Sequence, residues 1–396
     1  MRTPVILVAG QGAATDAADV LLRTPGTAVV GYTVDGHVVV RQVSAMRDTK
    51  LVITQSPLEI TNCCVTCTIR NDLLILLRQL HRRDDVHRIV VQLMEWLDPE
   101  PICVAINDTP VHVGAGYIDG PAARDVEIQA VVTCVDTSVW LSQALGDDEL
   151  DDSRTVAQVV VAQAAFADVL VLTEADRATL AVLRRLAPRA RITVGLQHLT
   201  TALNHLDTHS RRGHSDDPHD SLLAGQPPLS PDGEVQLLEF NARRPFHPER
   251  LHHAIDALLD GVVRVHGRAW LASQPDTVVW IESAGGGLGV GDAGRWLAAM
   301  ADRDLAYVDP ERTAIAASHW DERFGDRHIA LTALVCGASP DTITAALSAA
   351  LLTDAELDNP QAWAGYPDPF GEWHEDPCAE LAHDLAEEHI MLNGEE

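Results

Sequence analysis

The chain has 396 residues, more than one typical hydrophobic core holds, so two domains are expected. Its formal net charge is −29, which disfavours sequence-independent binding of DNA or RNA and favours basic proteins or cations. No apolar run reaches the ~18 residues that span a bilayer, and the short N-terminal run, ended by a glycine, lacks the parts of a signal peptide. The expected location is therefore the cytoplasm, with no membrane partner.

In chain order, residues 4–10 (PVILVAG) read as a buried strand and turn, 17–23 as a helix and 27–34 as a strand. Residues 72–83 (DLLILLRQLHRR) read as a helix, 88–94 as a strand, 128–136 as a strand, 155–167 as a helix, 168–173 as a strand and 177–187 as a helix. Apolar strands alternating with helices predict an α/β domain, a mostly parallel sheet with helices on both faces. Residues 198–233 are rich in His, Asp, Ser, Pro and Gly and read as a partly mobile linker. Its His198, His205, His209, His214 and His219 allow two readings, loose metal capture or side chains that simply titrate in water. Strand-like runs such as VVRVHGRAWLA, DTVVWIES and HIALTALVCG follow, then a helical PDTITAALSAALLT, which together predict a smaller α+β domain. The expected division is 1–197, 198–233 and 234–396. The acidic end, 372–396, is expected to fray, and its His374, Cys378 and His383 are attributed to chance.

Two short stretches carry chemistry. The first βα turn reads GQGAATDAA, residues 10–18, where a phosphate-binding loop would read G-x-x-x-x-G-K-[ST]. Asp16 stands at the lysine position and Ala17 at the hydroxyl position that should hold Mg²⁺. A close charge pair near a protein surface is worth about 4 kcal/mol, so reversing its sign costs several. The second stretch is TNCCVTCTIRNDL, residues 61–73, which holds three of the seven cysteines. Cys64 and Cys67 have the C-x-x-C spacing that lets two thiolates chelate one tetrahedral ion, and Cys63 can supply a third. Soft thiolates suit zinc, with Glu59, water or a partner residue as fourth ligand. Buried, inert cysteine is the competing reading. A thioredoxin-like redox pair fits less well, because the motif is not expected to open a helix in a β-α-β order. Cys103, Cys134 and Cys336 lie in apolar runs and read as core.

The cysteine stretch resembles the signature of the CobW-like P-loop GTPases, a family of metallochaperones, N-G-C-x-C-C-T-[LIV]-R-x-D-L. Asn62, Cys64, Cys67, Thr68, Arg70, Asp72 and Leu73 match, whereas Cys63 replaces the glycine and Thr66 the middle cysteine. Asp98 and Pro99 resemble the family's E-T-T-G-x-x-D-P segment, Asp176 the end of its N-K-x-D, and residues 243–251, 267–276 and 351–357 its C-terminal domain. The resemblance implies a P-loop GTPase-like fold, zinc on Cys63, Cys64 and Cys67, and Gly10, Gly12 and Asp176 as residual nucleotide-binding positions. It also exposes a joint departure at Asp16, Ala17, Gln92 and Glu174, which argues against GTP with Mg²⁺ and for lost GTP hydrolysis, with no catalytic residue assigned. A degenerate actinobacterial branch comes closest, one linked to zinc starvation and to bringing a ribosome hibernation-promoting factor to the small ribosomal subunit. The implied role is a zinc-responsive, non-enzymatic adaptor that docks mainly through proteins. The alternatives are a GTP-dependent zinc metallochaperone and a zinc buffer.

Overall fold

The computed structural model describes residues 1–47, 50–60 and 65–371. Cys63, Cys64, His374, Cys378 and His383 lie outside the described residues.

Continuous β-branched runs make the centre of the first sheet because strands covered on both faces need no polar alternation. Its strands are β1 (Thr3–Gly10), β2 (Thr27–Asp35), β3 (Val38–Arg47), β4 (Lys50–Glu59), β5 (Arg88–Gln92), β6 (Val126–Val135), β7 (Val169–Leu172) and β8 (Arg191–Val194). Their order is β4-β3-β2-β5-β1-β6-β7-β8. All neighbours from β2 to β8 are parallel, while β3 and β4 add an antiparallel hairpin at one edge. Alternate residues serve opposite faces. Ile6 and Val8 pack with α1 (Ala14–Leu22), while Val5 and Leu7 pack with α2 (Val65–His81) and α3 (Pro99–Asp108). Helices α4 (Trp140–Ala144), α5 (Val156–Ala165) and α6 (Arg177–Leu186) cover the β6–β7 end.

The second sheet is antiparallel throughout. It comprises β9 (Val235–Ala242), β10 (Val262–Ala269), β11 (Thr277–Ala284), β12 (Gly287–Arg295) and β13 (Ile329–Cys336), in the order β12-β11-β10-β13-β9. One face packs Val265, Ile281, Leu331 and Ala333 against Trp270, Leu251 and Leu347. Sequence reading misses β12 because GLGVGDAGR carries glycine at alternate positions and offers little β propensity.

The two domains share a core. Val235, Val263, Ala284 and Leu334 of the second sheet join Trp140, Val160, Ala164 and Val182 in one buried cluster. The stretch expected as a linker contains helix α7 (Leu199–Asn204), whose Leu199 and Leu203 pack beneath the first sheet. Beyond it, Asp216 pairs with Arg189 at 2.8 Å and Arg211 at 2.6 Å. The Arg212 N–H donates to Asp168 at 3.0 Å, and buried Arg268 of β10 donates to the carbonyls of Pro218 at 2.6 Å and Asp220 at 2.8 Å. The segment is thus strapped to both domains by charge-assisted bonds, which are the stronger class.

Candidate functional site

In open α/β sheets ligands bind beyond the carboxyl ends of the parallel strands. There the turn after β1 and the loop after β5 enclose a cleft of about 610 Å³, lined by Gly10, Gly12, Thr15, Tyr32, Gln92 and Glu95 among others. Gly10 is forced: its φ is +99°, and a Cβ would run into the carbonyl oxygen of Cys134 on β6. The buried Gln11 donates to Gln163 at 3.2 Å, and Gln163 in turn donates to the carbonyls of Glu95 at 2.9 Å and Leu97 at 3.0 Å. A pair of neutral glutamines therefore ties the two loops of the cleft together.

That cleft does not fit a nucleotide triphosphate with Mg²⁺. Of the described residues that line it, none is cationic and Glu95 is acidic. Asp16 is exposed in the first turn of α1, and Ala17 is buried with no oxygen to offer. Gln92, at the position of the expected glutamate, donates through Nε2 to Thr15 Oγ1 at 2.8 Å. Gln92 and Thr15 are thus bonded to each other across the cleft. Asp176 lies outside the lining of this cleft. It caps α6 by accepting the Thr179 N–H at 2.8 Å, and that bond holds its carboxyl below the usual range. Asp98 likewise caps α3 through the Glu100 N–H at 3.0 Å, but burial pushes its carboxyl up to about 6.

The metal motif meets the fold at α2. Periodicity places the start of this helix near residue 72, yet it begins at Val65, so Cys67 sits buried in its first turn. Cys67 of the C-x-x-C thus lies in the opening turn of a helix. The strand before it is the antiparallel edge strand β4, however, and a thioredoxin-type unit has a parallel one. A helix N-terminus favours the thiolate, the form that binds metal. One turn further on, Asp72 accepts a hydrogen bond from Tyr32 Oη at 2.8 Å and an ion pair from Arg41 at 2.7 Å. Burial, with Asp72 beside it, pushes the Tyr32 phenol far up, so it stays a donor. This triad joins α2, β2 and β3, and Tyr32 also lines the cleft. Sequence reading found Asp72 by its motif but missed Tyr32 and Arg41, which lie 40 and 31 positions away.

The remaining thiols have a packing role. Burial pushes Cys134 up to about 12, with a smaller push from Asp16, and raises Cys103 and Cys336 too. Among the described residues no three His, Cys, Asp or Glu side chains converge as a metal site. His205 contacts the Thr201 carbonyl at 2.8 Å and His219 that of Ala293 at 3.0 Å. No described helix is long and apolar enough to cross a membrane.

Two family models match the chain: the CobW/HypB/UreG nucleotide-binding domain over residues 31–196, and the cobalamin synthesis protein cobW C-terminal domain over residues 235–351. The chain is 60% identical to a zinc chaperone of Mycobacterium tuberculosis over 381 residues, 96% of each chain. It is 25% identical to the zinc-regulated GTPase metalloprotein activator 1 of Dictyostelium discoideum over 342 residues, 80% of this chain and 70% of that one. The zinc-bound YjiA GTPase from E. coli aligns over 89% of this chain and 100% of its own, at 14% identity and a TM-score of 0.38. The 60% identity to the mycobacterial protein along nearly the whole length, with both domain models matched in order, makes this chain a member of the CobW/HypB/UreG family.

Proposed function

We propose that this chain is a zinc metallochaperone that carries Zn²⁺ as cargo on the thiolates of Cys63, Cys64 and Cys67. The carrying observation is the position of Cys67 in the first turn of α2, where the helix N-terminus supports a thiolate and the Tyr32–Asp72–Arg41 triad fixes the helix. Full-length likeness to a zinc chaperone supports the same reading. Three thiolates leave a tetrahedral ion one exchangeable position, which suits delivery better than storage. The direct test is elemental analysis after purification, followed by transfer of the ion to a chromogenic chelator. A protein that retains no zinc would end the proposal.

This reading runs no step through a nucleotide. Titration of a fluorescent GTP analogue in Mg²⁺ is expected to give no saturable binding in the micromolar range. Asp16→Lys alone is expected to restore no hydrolysis, because Ala17 and Gln92 still withhold their metal contacts. Micromolar binding with turnover would return the chain to the GTP-driven chaperones.

A second reading is the one that the resemblance to the degenerate actinobacterial branch implies: an adaptor that recruits a ribosome hibernation-promoting factor to the small subunit, for which the net charge of −29 favours docking through protein contacts. An acidic surface steers basic proteins towards itself and repels phosphate backbones. Pull-downs are expected to retain the isolated factor, to weaken as salt rises, and to leave deproteinised ribosomal RNA behind. Tight binding to the bare RNA would exclude this docking mode.

A further inference from the structure

The β3–β4 hairpin ends the first sheet with an uncovered edge. Val34, Val38, Met46, Leu51, Val52 and Ile53 make up six of the fifteen exposed large apolar side chains among the described residues. Consecutive residues Leu51, Val52 and Ile53 are exposed at 53%, 38% and 51%, so neither face of β4 is covered at this point. Long apolar edges are normally blunted with charge. Between Leu51 and Leu58 this strand has none, although the chain carries 58 acidic residues.

The hydrogen-bonding parity of the edge follows from its register. Val40 of β3 faces Pro57. Proline has no N–H to give to a ladder, so in an edge strand it sits where the backbone groups turn away from the neighbouring strand. Alternation from Pro57 turns the N–H and C=O groups of Leu51, Ile53 and Gln55 away from β3 as well. The free stretch is therefore 50–56, with Ile53 at its centre.

We infer that β4 pairs antiparallel with β4 of a second copy, about a two-fold axis through Ile53. Such an axis lies perpendicular to the sheet and demands that facing residues share parity. Ile53 then faces its own copy, Leu51 faces Gln55, Val52 faces Thr54, and Lys50, the only lysine of the chain, faces Ser56. Outward groups meet outward groups, giving about six backbone hydrogen bonds. No like charges oppose each other within the paired stretch. A partner that recognised acidic surface would dock elsewhere, whereas two copies of −29 can approach closely only where carboxylates are absent. A strand pair buries less than a standard interface, so the dimer is weak, with a dissociation constant on the order of micromolar. The contact closes on itself and stops at two copies.

Sedimentation equilibrium of the full chain, over a concentration series at low and high salt, tests this. The mass is expected to climb from 42.8 kDa towards twice that value, and the dimer to tighten with salt as the repulsion between copies is screened. Ile53→Lys sets two ammonium groups face to face and is expected to weaken the dimer at least about tenfold, with an unchanged circular dichroism spectrum because the site is exposed. Ile53→Cys supplies an independent reading: facing Cα atoms in a bonded pair lie ~5.5 Å apart, within disulfide range, so oxidation should yield a 53–53 peptide by mass spectrometry. A monomer at every concentration, a dimer unaffected by Ile53→Lys, or growth beyond two copies would each overturn the inference.

Discussion

Changing Cys64 and Cys67 together to serine is expected to lower bound zinc from about one ion per chain to none. Serine stays protonated at neutral pH and offers a hard oxygen in place of a soft thiolate, so the two ligands are lost outright. Zinc held by several thiolates is worth roughly 10–16 kcal/mol of apparent binding in small structural sites, and one residual cysteine cannot sustain that. Cys67→Ser alone isolates the ligand whose place is described, in the first turn of α2. Elemental analysis of the folded variants decides the matter. Equal zinc in the double variant and the parent would move the cargo site off this loop.

The largest effect on stability is expected from Gly10→Ala. Gly10 has φ +99°, and its missing Cβ is where the Cys134 backbone already stands. A side chain must push β1 away from β6 at the centre of the sheet, where Gly10 and Cys134 are register partners. Loss of about 3 kcal/mol or more is expected, from left-handed strain plus overpacking. Gly12→Ala is the matched control: its φ is +74°, but open space surrounds the added carbon. That variant should lose only ~1–2 kcal/mol. Urea denaturation of both variants checks the pair, and equal losses would show that the contact with Cys134 is not what requires glycine.

Legibility in the sequence tracked burial. Strands β1, β5, β6 and β7 announce themselves as continuous β-branched runs because both faces are covered, as Ile6, Val90, Val132 and Val171 show. The β3–β4 hairpin escaped because the core meets it at few positions, chiefly Val39, Val43 and Leu58, while KLVITQSPLE is exposed along most of its length. Helix α2 was placed too late because Val65, Thr66 and Thr68 are poor helix formers, and tertiary packing of Ile69, Leu73 and Leu77 overrides them. The polar stretch after residue 198 looked free because composition does not reveal that Arg268 will donate to its carbonyls and Asp168 will accept from its Arg212 N–H. Site residues were legible where a motif fixed them in one segment, as with Cys67 and Asp72. The Tyr32 and Arg41 contacts come from two other strands, and no local pattern encodes them.

The core shared between the domains sets a schedule for synthesis. Ala164 on α5 and Val182 on α6 have left the ribosomal tunnel long before Val235, Val263, Ala284 and Leu334 exist to cover them. At ~5–20 residues per second the nascent first domain waits on the order of ten seconds with a bare apolar flank. A truncated or stalled chain keeps that flank permanently, so a fragment ending in the strap should be handled by the cell as unfinished protein, captured by holdases or degraded.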